Sequence, residues 1–131
     1  MNYSKPLFIR FGKKPMQKIH NENDSFKIGK GTKIRDGKDI LFVTTGETAQ
    51  RVLLASEILE KEEIFSSHIN IHTIKPFDNE LFLNSLSKVK AIISVEEHSE
   101  SGGLGEKCAS LISQNNIQIP FKIIGFPDEY M

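Results

Sequence analysis

Residues 39–45 read DILFVTT, an apolar run bracketed by turn formers, with Asp36-Gly37 before it and Gly46 after it. A run this short and this apolar is a strand buried on both faces, so it demands cover from two sides. The rest of the chain supplies that cover by alternation. Residues 47–62 carry Ala49, Val52, Leu53, Ser56 and Leu59 at helical spacing, and Thr44 with Glu47 has the form of a capping box. Residues 68–74 predict the next strand, with Ile69 and Ile71 on one face. Pro76 ends it, and Asp78 is a good N-cap for the helix NELFLNSLSKV with its stripe Leu81, Phe82, Leu86, Val89. A strand at 91–95, a helix reaching about residue 115 and a strand at 121–124 complete the series. Strand–helix–strand units joined this way take right-handed crossovers, which predicts an α/β three-layer sandwich built on a mainly parallel sheet. Ligands of such sheets sit beyond the carboxyl ends of the strands, where TTGET and EEHSESGG lie.

The first 25 residues do not fit this rhythm. Residues 7–11 suggest a short strand, followed by the irregular, polar stretch GKKPMQKIHNENDS, which reads as a linker. One strand and a linker cannot bury themselves, so this part must lean on something else. Lys+Arg and Asp+Glu balance at 17 each, which gives no basic surplus for nucleic acid. No apolar run is long enough to cross a bilayer, and MNYSKPLF lacks the apolar core of a signal peptide. The single cysteine, Cys108, lies on the apolar face of its helix and reads as a packed thiol; one cysteine fits a reducing, cytoplasmic setting.

The loop EEHSESGGLGE at 96–106 admits three readings. Glycines between a strand and a helix can cradle phosphate on free helical N–H groups, but Glu96, Glu97 and Glu100 repel an anion, and neither a dinucleotide fingerprint nor a P-loop is present. Glu97 could orient His98 as a general base, although no nucleophile or metal set accompanies the pair. The plain alternative, which the residues favour, is a turn whose glycines allow close helix–strand approach, with charges that are solvated or meet a partner. His68 and His72 share a strand face about 13 Å apart, too far to hold one metal together, and read as exposed or partner-facing. His20 carries no signal. Arg10 stands out within the apolar PLFIRF, because a charge there is costly unless it meets an anion or a carboxylate; the alternative is an edge charge that discourages aggregation.

Five segments in order, PLFIRFGKKP, FKIGKGTKIRDGKDILFVTTGETA, INIHTIKPFD, IISVEEHSESGGLGE and IIGFPDEY, resemble the C-terminal part of transketolase and related thiamine-diphosphate enzymes. The resemblance implies that residues 26–131 form the third domain of such an enzyme, with a mixed five-stranded sheet whose 30–35 strand is antiparallel. It implies that residues 1–25 are the end of the pyrimidine-binding domain and its linker. Arg10 matches the family arginine that contacts the sugar phosphate and is the one substrate-binding residue implied; no catalytic, cofactor-binding or metal-ligating residue carries over. The Gly-Asp-Gly…Asn metal motif is absent, and Arg35-Asp36-Gly37 reads as a turn. The chain is then expected to be a piece or small subunit that supports assembly and is inactive alone. The full enzyme would be a homodimer using thiamine diphosphate and a divalent metal, supplied by the remaining domains or another subunit. Ketol transfer between sugar phosphates is the leading activity. Deoxyxylulose-phosphate synthase, the β-subunit of a 2-oxo acid dehydrogenase and a non-catalytic assembly module are the alternatives.

Overall fold

The computed structural model describes residues 4–10, 12, 15, 18–20 and 26–127. In chain order the elements are β1 (Thr32–Arg35), β2 (Ile40–Thr44), α1 (Thr48–Lys61), β3 (Ser66–Asn70), α2 (Asn79–Ser85), β4 (Ala91–Ser99), α3 (Leu104–Gln114) and β5 (Phe121–Phe126). A 3-10 turn, Leu86–Lys88, prolongs α2. The five strands form one sheet in the order β1-β3-β2-β4-β5. β2 through β5 pair in parallel, and β1 runs antiparallel to β3, as expected.

Register decides the two faces. Leu41 pairs with Ser67 and Ile92, and Val43 with Ile69 and Ser94, so these side chains share a face. Leu41, Val43, Ile69, Ile71 and Ile92 pack there with Phe82 of α2 and Leu104, Cys108, Leu111 and Ile112 of α3. The other face carries Phe42, Thr44, His68 and Asn70 beneath α1, whose Ala49, Val52 and Ser56 are buried. The central run DILFVTT is thus covered on both sides, with Leu41 and Val43 wholly inaccessible.

Four local expectations change. The capping box does not form: Glu47 precedes α1 with no side-chain cap, and Thr44 is the buried last residue of β2. The Thr48 hydroxyl instead lies 2.8 and 2.9 Å from the carbonyls of Thr45 and Val95 and shares its one proton between them, tying the helix start to β4. β3 begins two residues early, because the Asp39 carboxylate accepts Phe65 N–H at 2.9 Å and aligns the incoming chain. It leaves the sheet after Asn70, where neighbouring β2 has ended and Gly46 turns away at φ +61°. β4 runs on through Glu96–Ser99, predicted as loop, because Ser99 pairs with Phe126 of a longer β5. Residues 7–10 form no strand; Phe8 is 90% exposed, and Phe11 lies outside the described residues. The segment pairs with neither edge strand of the sheet, so no ladder holds it extended.

Candidate functional site

At the carboxyl ends of the parallel strands lies an open groove of about 1260 Å³, walled by residues from several separate parts of the chain. The segment carrying Arg10 forms one wall, and the TTG turn with Glu47 and Arg51 of α1 forms another. His72, just past β3, Glu97, near the end of β4, and the glycine loop at Gly102 and Gly103 also line it. Arg10 is exposed, and its Nη1 donates to the Glu97 carbonyl at 3.3 Å. This leaves further donors of the planar guanidinium for a ligand. The structure therefore brings the sequence-flagged Arg10 to the sequence-flagged loop, a pairing that no local pattern announces.

The glycine loop has a definite occupant. Glu96 is 4% exposed, and its two carboxylate oxygens accept the N–H groups of Leu104 and Gly105 at 2.7 and 2.8 Å. The free N–H groups of α3, which a phosphate would need, are already bound to an anion of the chain's own. Gly102 turns the chain at φ +77°, and any side chain at Gly103 would collide with the Glu96 carboxylate. The phosphate-cradle reading thus gives way to a turn closed by an internal clasp. The acid/base reading fares no better. Glu97 and His98 are successive residues of a strand and project to opposite sides, and His98 Nδ1 donates to the Ser99 carbonyl at 2.9 Å.

The histidines separate as well. His68, expected to be exposed or partner-facing, is wholly buried, because β3 lies inside the sheet and α1 covers its face. Its Nε2 lies 2.8 Å from the Thr44 hydroxyl, while Nδ1 has no protein partner. The Thr44 hydroxyl reaches Asn70 Oδ1 at 3.3 Å, and Asn70 Nδ2 lies 3.4 Å from His20 Nε2. A polar chain thus runs from the linker residue His20 into the core, and sequence periodicity gave no sign of it. Burial pushes the His68 imidazole down to about 4. His72 stacks against Phe26 at 4.4 Å between ring centroids, and burial, then the charge of His20, lowers its pKa. Among the described residues no three His, Cys, Asp or Glu side chains converge so as to hold a metal ion, so the donor set for a divalent cation does not fit here.

Two supporting expectations hold. Asp78 caps α2 by accepting Leu81 N–H at 3.2 Å, and its other oxygen accepts Gly31 N–H at 3.1 Å ahead of β1. Cys108 is fully buried, and burial, reinforced by the Glu96 charge, pushes its thiol up to about 12. No helix among the described residues is long and apolar enough to cross a membrane.

Comparison with known proteins agrees with this architecture. The family described as transketolase, C-terminal domain, matches residues 29–131. A 6-deoxy-6-sulfo-D-fructose transketolase subunit of Clostridium sp. (strain MSTE9) is 37% identical, over 94% of this chain and 38% of the relative. An apulose-4-phosphate transketolase subunit from Phocaeicola vulgatus is 34% identical, over 98% and 41%. A 1-deoxy-D-xylulose-5-phosphate synthase from Halothermothrix orenii is 33% identical, over 100% and 21%. A solved split-gene transketolase, described as an inactive beta4 tetramer, superposes with a TM-score of 0.79 at 32% identity, covering 86% of this chain and 37% of that one. The chain therefore spans no more than about two-fifths of the length of these relatives. Sheet order, helix placement and the matched span agree, and the chain belongs to the transketolase C-terminal domain family.

Proposed function

We propose that this chain is the C-terminal part of a transketolase-like enzyme that moves a two-carbon ketol unit between sugar phosphates, with Arg10 holding the terminal phosphate. The observation that carries the reading is the position of Arg10, which lines the groove at the strand ends while one of its nitrogens rests on the Glu97 carbonyl. A guanidinium steadied at one corner can still offer two parallel hydrogen bonds to a tetrahedral oxyanion. One relative is named for a sulfo-sugar and others for phosphorylated sugars, so a terminal sulfonate is a second anion of suitable shape.

Residues 1–25 belong, in this reading, to the end of a pyrimidine-binding domain. The exposure of Leu7, Phe8 and Ile9 supports it, since such side chains are expected to be covered by the rest of that domain. Thiamine diphosphate and its metal would be held by the remaining domains or a separate subunit. That assembly would be a cytoplasmic homodimer, with this chain supporting it. Several relatives are themselves named as subunits, which fits a divided enzyme.

The test combines the chain with a partner bearing the cofactor-binding domains and assays ketol transfer to aldose phosphates. Transfer that requires both components is the expected result; a mixture that only decarboxylates 2-oxo acids would move the chain to the dehydrogenase side. The synthase relative keeps deoxyxylulose-phosphate synthesis as the second reading. Pyruvate and glyceraldehyde phosphate in the same mixture would identify it.

A further inference from the structure

We infer that Glu96 is a positioning residue for Arg10, setting the carbonyl on which the guanidinium rests. This rests on the reading of Arg10 as the residue that holds the substrate anion. Arg10 is long and exposed, and it is steadied by the hydrogen bond to the Glu97 carbonyl at 3.3 Å. The direction of that carbonyl is set by a peptide plane in the part of β4 where the ladder is irregular. Between Val95 and Ser99 the register with β5 shifts. Regular cross-strand bonds therefore do not fix this stretch on the β5 side.

What fixes it is a side chain. Glu96 precedes the carbonyl by one residue, and its buried carboxylate is held by Leu104 and Gly105 N–H groups at 2.7 and 2.8 Å. Gly103 supplies the room for that contact. The irregular end of β4 is thus pinned to the start of α3. Pinning Glu96 also limits the Glu96–Glu97 peptide, and through the short link at Glu97 the next plane, Glu97–His98, which carries the carbonyl that Arg10 meets. If the clasp loosens, the Glu97 carbonyl turns, and Arg10 spends less time in the posture that meets an anion. Glu96 itself touches no ligand; it acts through the backbone on a residue that does.

The experiment is a double-mutant cycle in the assembled enzyme: wild type, Glu96→Gln, Arg10→Ala and the double variant. The quantity read is the ratio of kcat/KM for a phosphorylated acceptor to that for its unphosphorylated counterpart. Glu96→Gln presents an amide NH2 to a backbone N–H where an oxygen stood, so one arm of the clasp opens. The expected result is a fall in the ratio of roughly three- to tenfold, the worth of one ordinary hydrogen bond. That fall should vanish when Arg10 is already alanine. Glu96→Asp keeps the charge but draws it back by one methylene, and serves the same cycle where the glutamine variant does not fold. A ratio that falls equally in both Arg10 backgrounds, or two substrates that suffer alike, would reduce Glu96 to a helix cap and overturn the inference. An Arg10→Ala enzyme with an unchanged ratio would instead strike at the reading of Arg10 itself.

Discussion

The hydroxyl of Thr44, the last residue of β2, lies 2.8 Å from Nε2 of His68, its diagonal neighbour on β3. When Thr44 donates to Asn70 Oδ1, its lone pair accepts Nε2–H, which leaves Nδ1 bare and the ring neutral. A neutral imidazole is what this dry position requires. Its cost appears in acid.

His68 has a folded pKa of about 4 against an ordinary value of 6.5. Between these limits the unfolded chain binds the proton and the folded chain does not, so stability falls as pH drops from 6.5 toward 4. The full loss is about 3 kcal/mol, converting the shift at about 1.36 kcal/mol per pH unit. Urea unfolding across this range should show the decline, and His68→Gln should flatten it. His72 contributes in the same direction, so a residual slope is expected in that variant.

Glu96→Ala leaves two buried N–H groups at the start of α3 without an acceptor. Losing charge-assisted bonds of this kind should lower the unfolding free energy by about 2–4 kcal/mol. Gly103→Ala should act from the opposite side, by steric displacement of the carboxylate, at about 1–3 kcal/mol. Chemical denaturation of both variants, with the double variant showing less than the sum, checks that they break one contact.

If the chain belongs to a ketol-transferring enzyme as proposed, Arg10→Ala should weaken use of phosphorylated sugars in the assembled enzyme by roughly ten- to a hundredfold in kcat/KM, from about 1.5–3 kcal/mol for a charge-assisted contact. An unphosphorylated acceptor should be affected far less, because it offers the guanidinium nothing to hold. Equal losses on both substrates would mean that the residue steadies the chain through Glu97 and does not read the anion.

Cys108, fully buried with a thiol pushed up to about 12, should resist alkylation at about pH 8 in the native protein. In denaturant it should react at the rate of a free thiol. Mass spectrometry after iodoacetamide treatment reads both states. Rapid native labelling would show that α3 detaches from the sheet.

The parts of this fold that were legible are those where burial on a surface sets a period. Leu41 to Val43 announced a strand covered twice, and Asp78 announced a helix start, because both depend on neighbours close in the chain. Contacts made around a turn left no such mark. Glu96 meets Leu104 eight positions away, and the same residues read equally well as loop until β5 extended β4. Residues 7–10 misled for the converse reason: their apolar character was real, but they pair with neither edge of the sheet, and their side chains stay exposed. Arg10 was legible as an anomaly and by likeness to a family. The carbonyl beneath it was not, since a peptide plane has no letter in a sequence.

The strand order has a consequence for how the molecule comes together. β2 sits at the centre of the sheet and pairs only with β3 and β4, each separated from it by at least one helix. No two neighbouring strands can close as a hairpin, since even the antiparallel partners β1 and β3 have β2 and α1 between them. A chain emerging from the ribosome therefore presents DILFVTT well before either flank can shield it. Such non-local pairing makes folding slow relative to helical domains of similar size and leaves a sticky strand waiting. The crossover helix α1 is the first element able to lie across it, which makes early formation of that helix a safeguard against aggregation during synthesis.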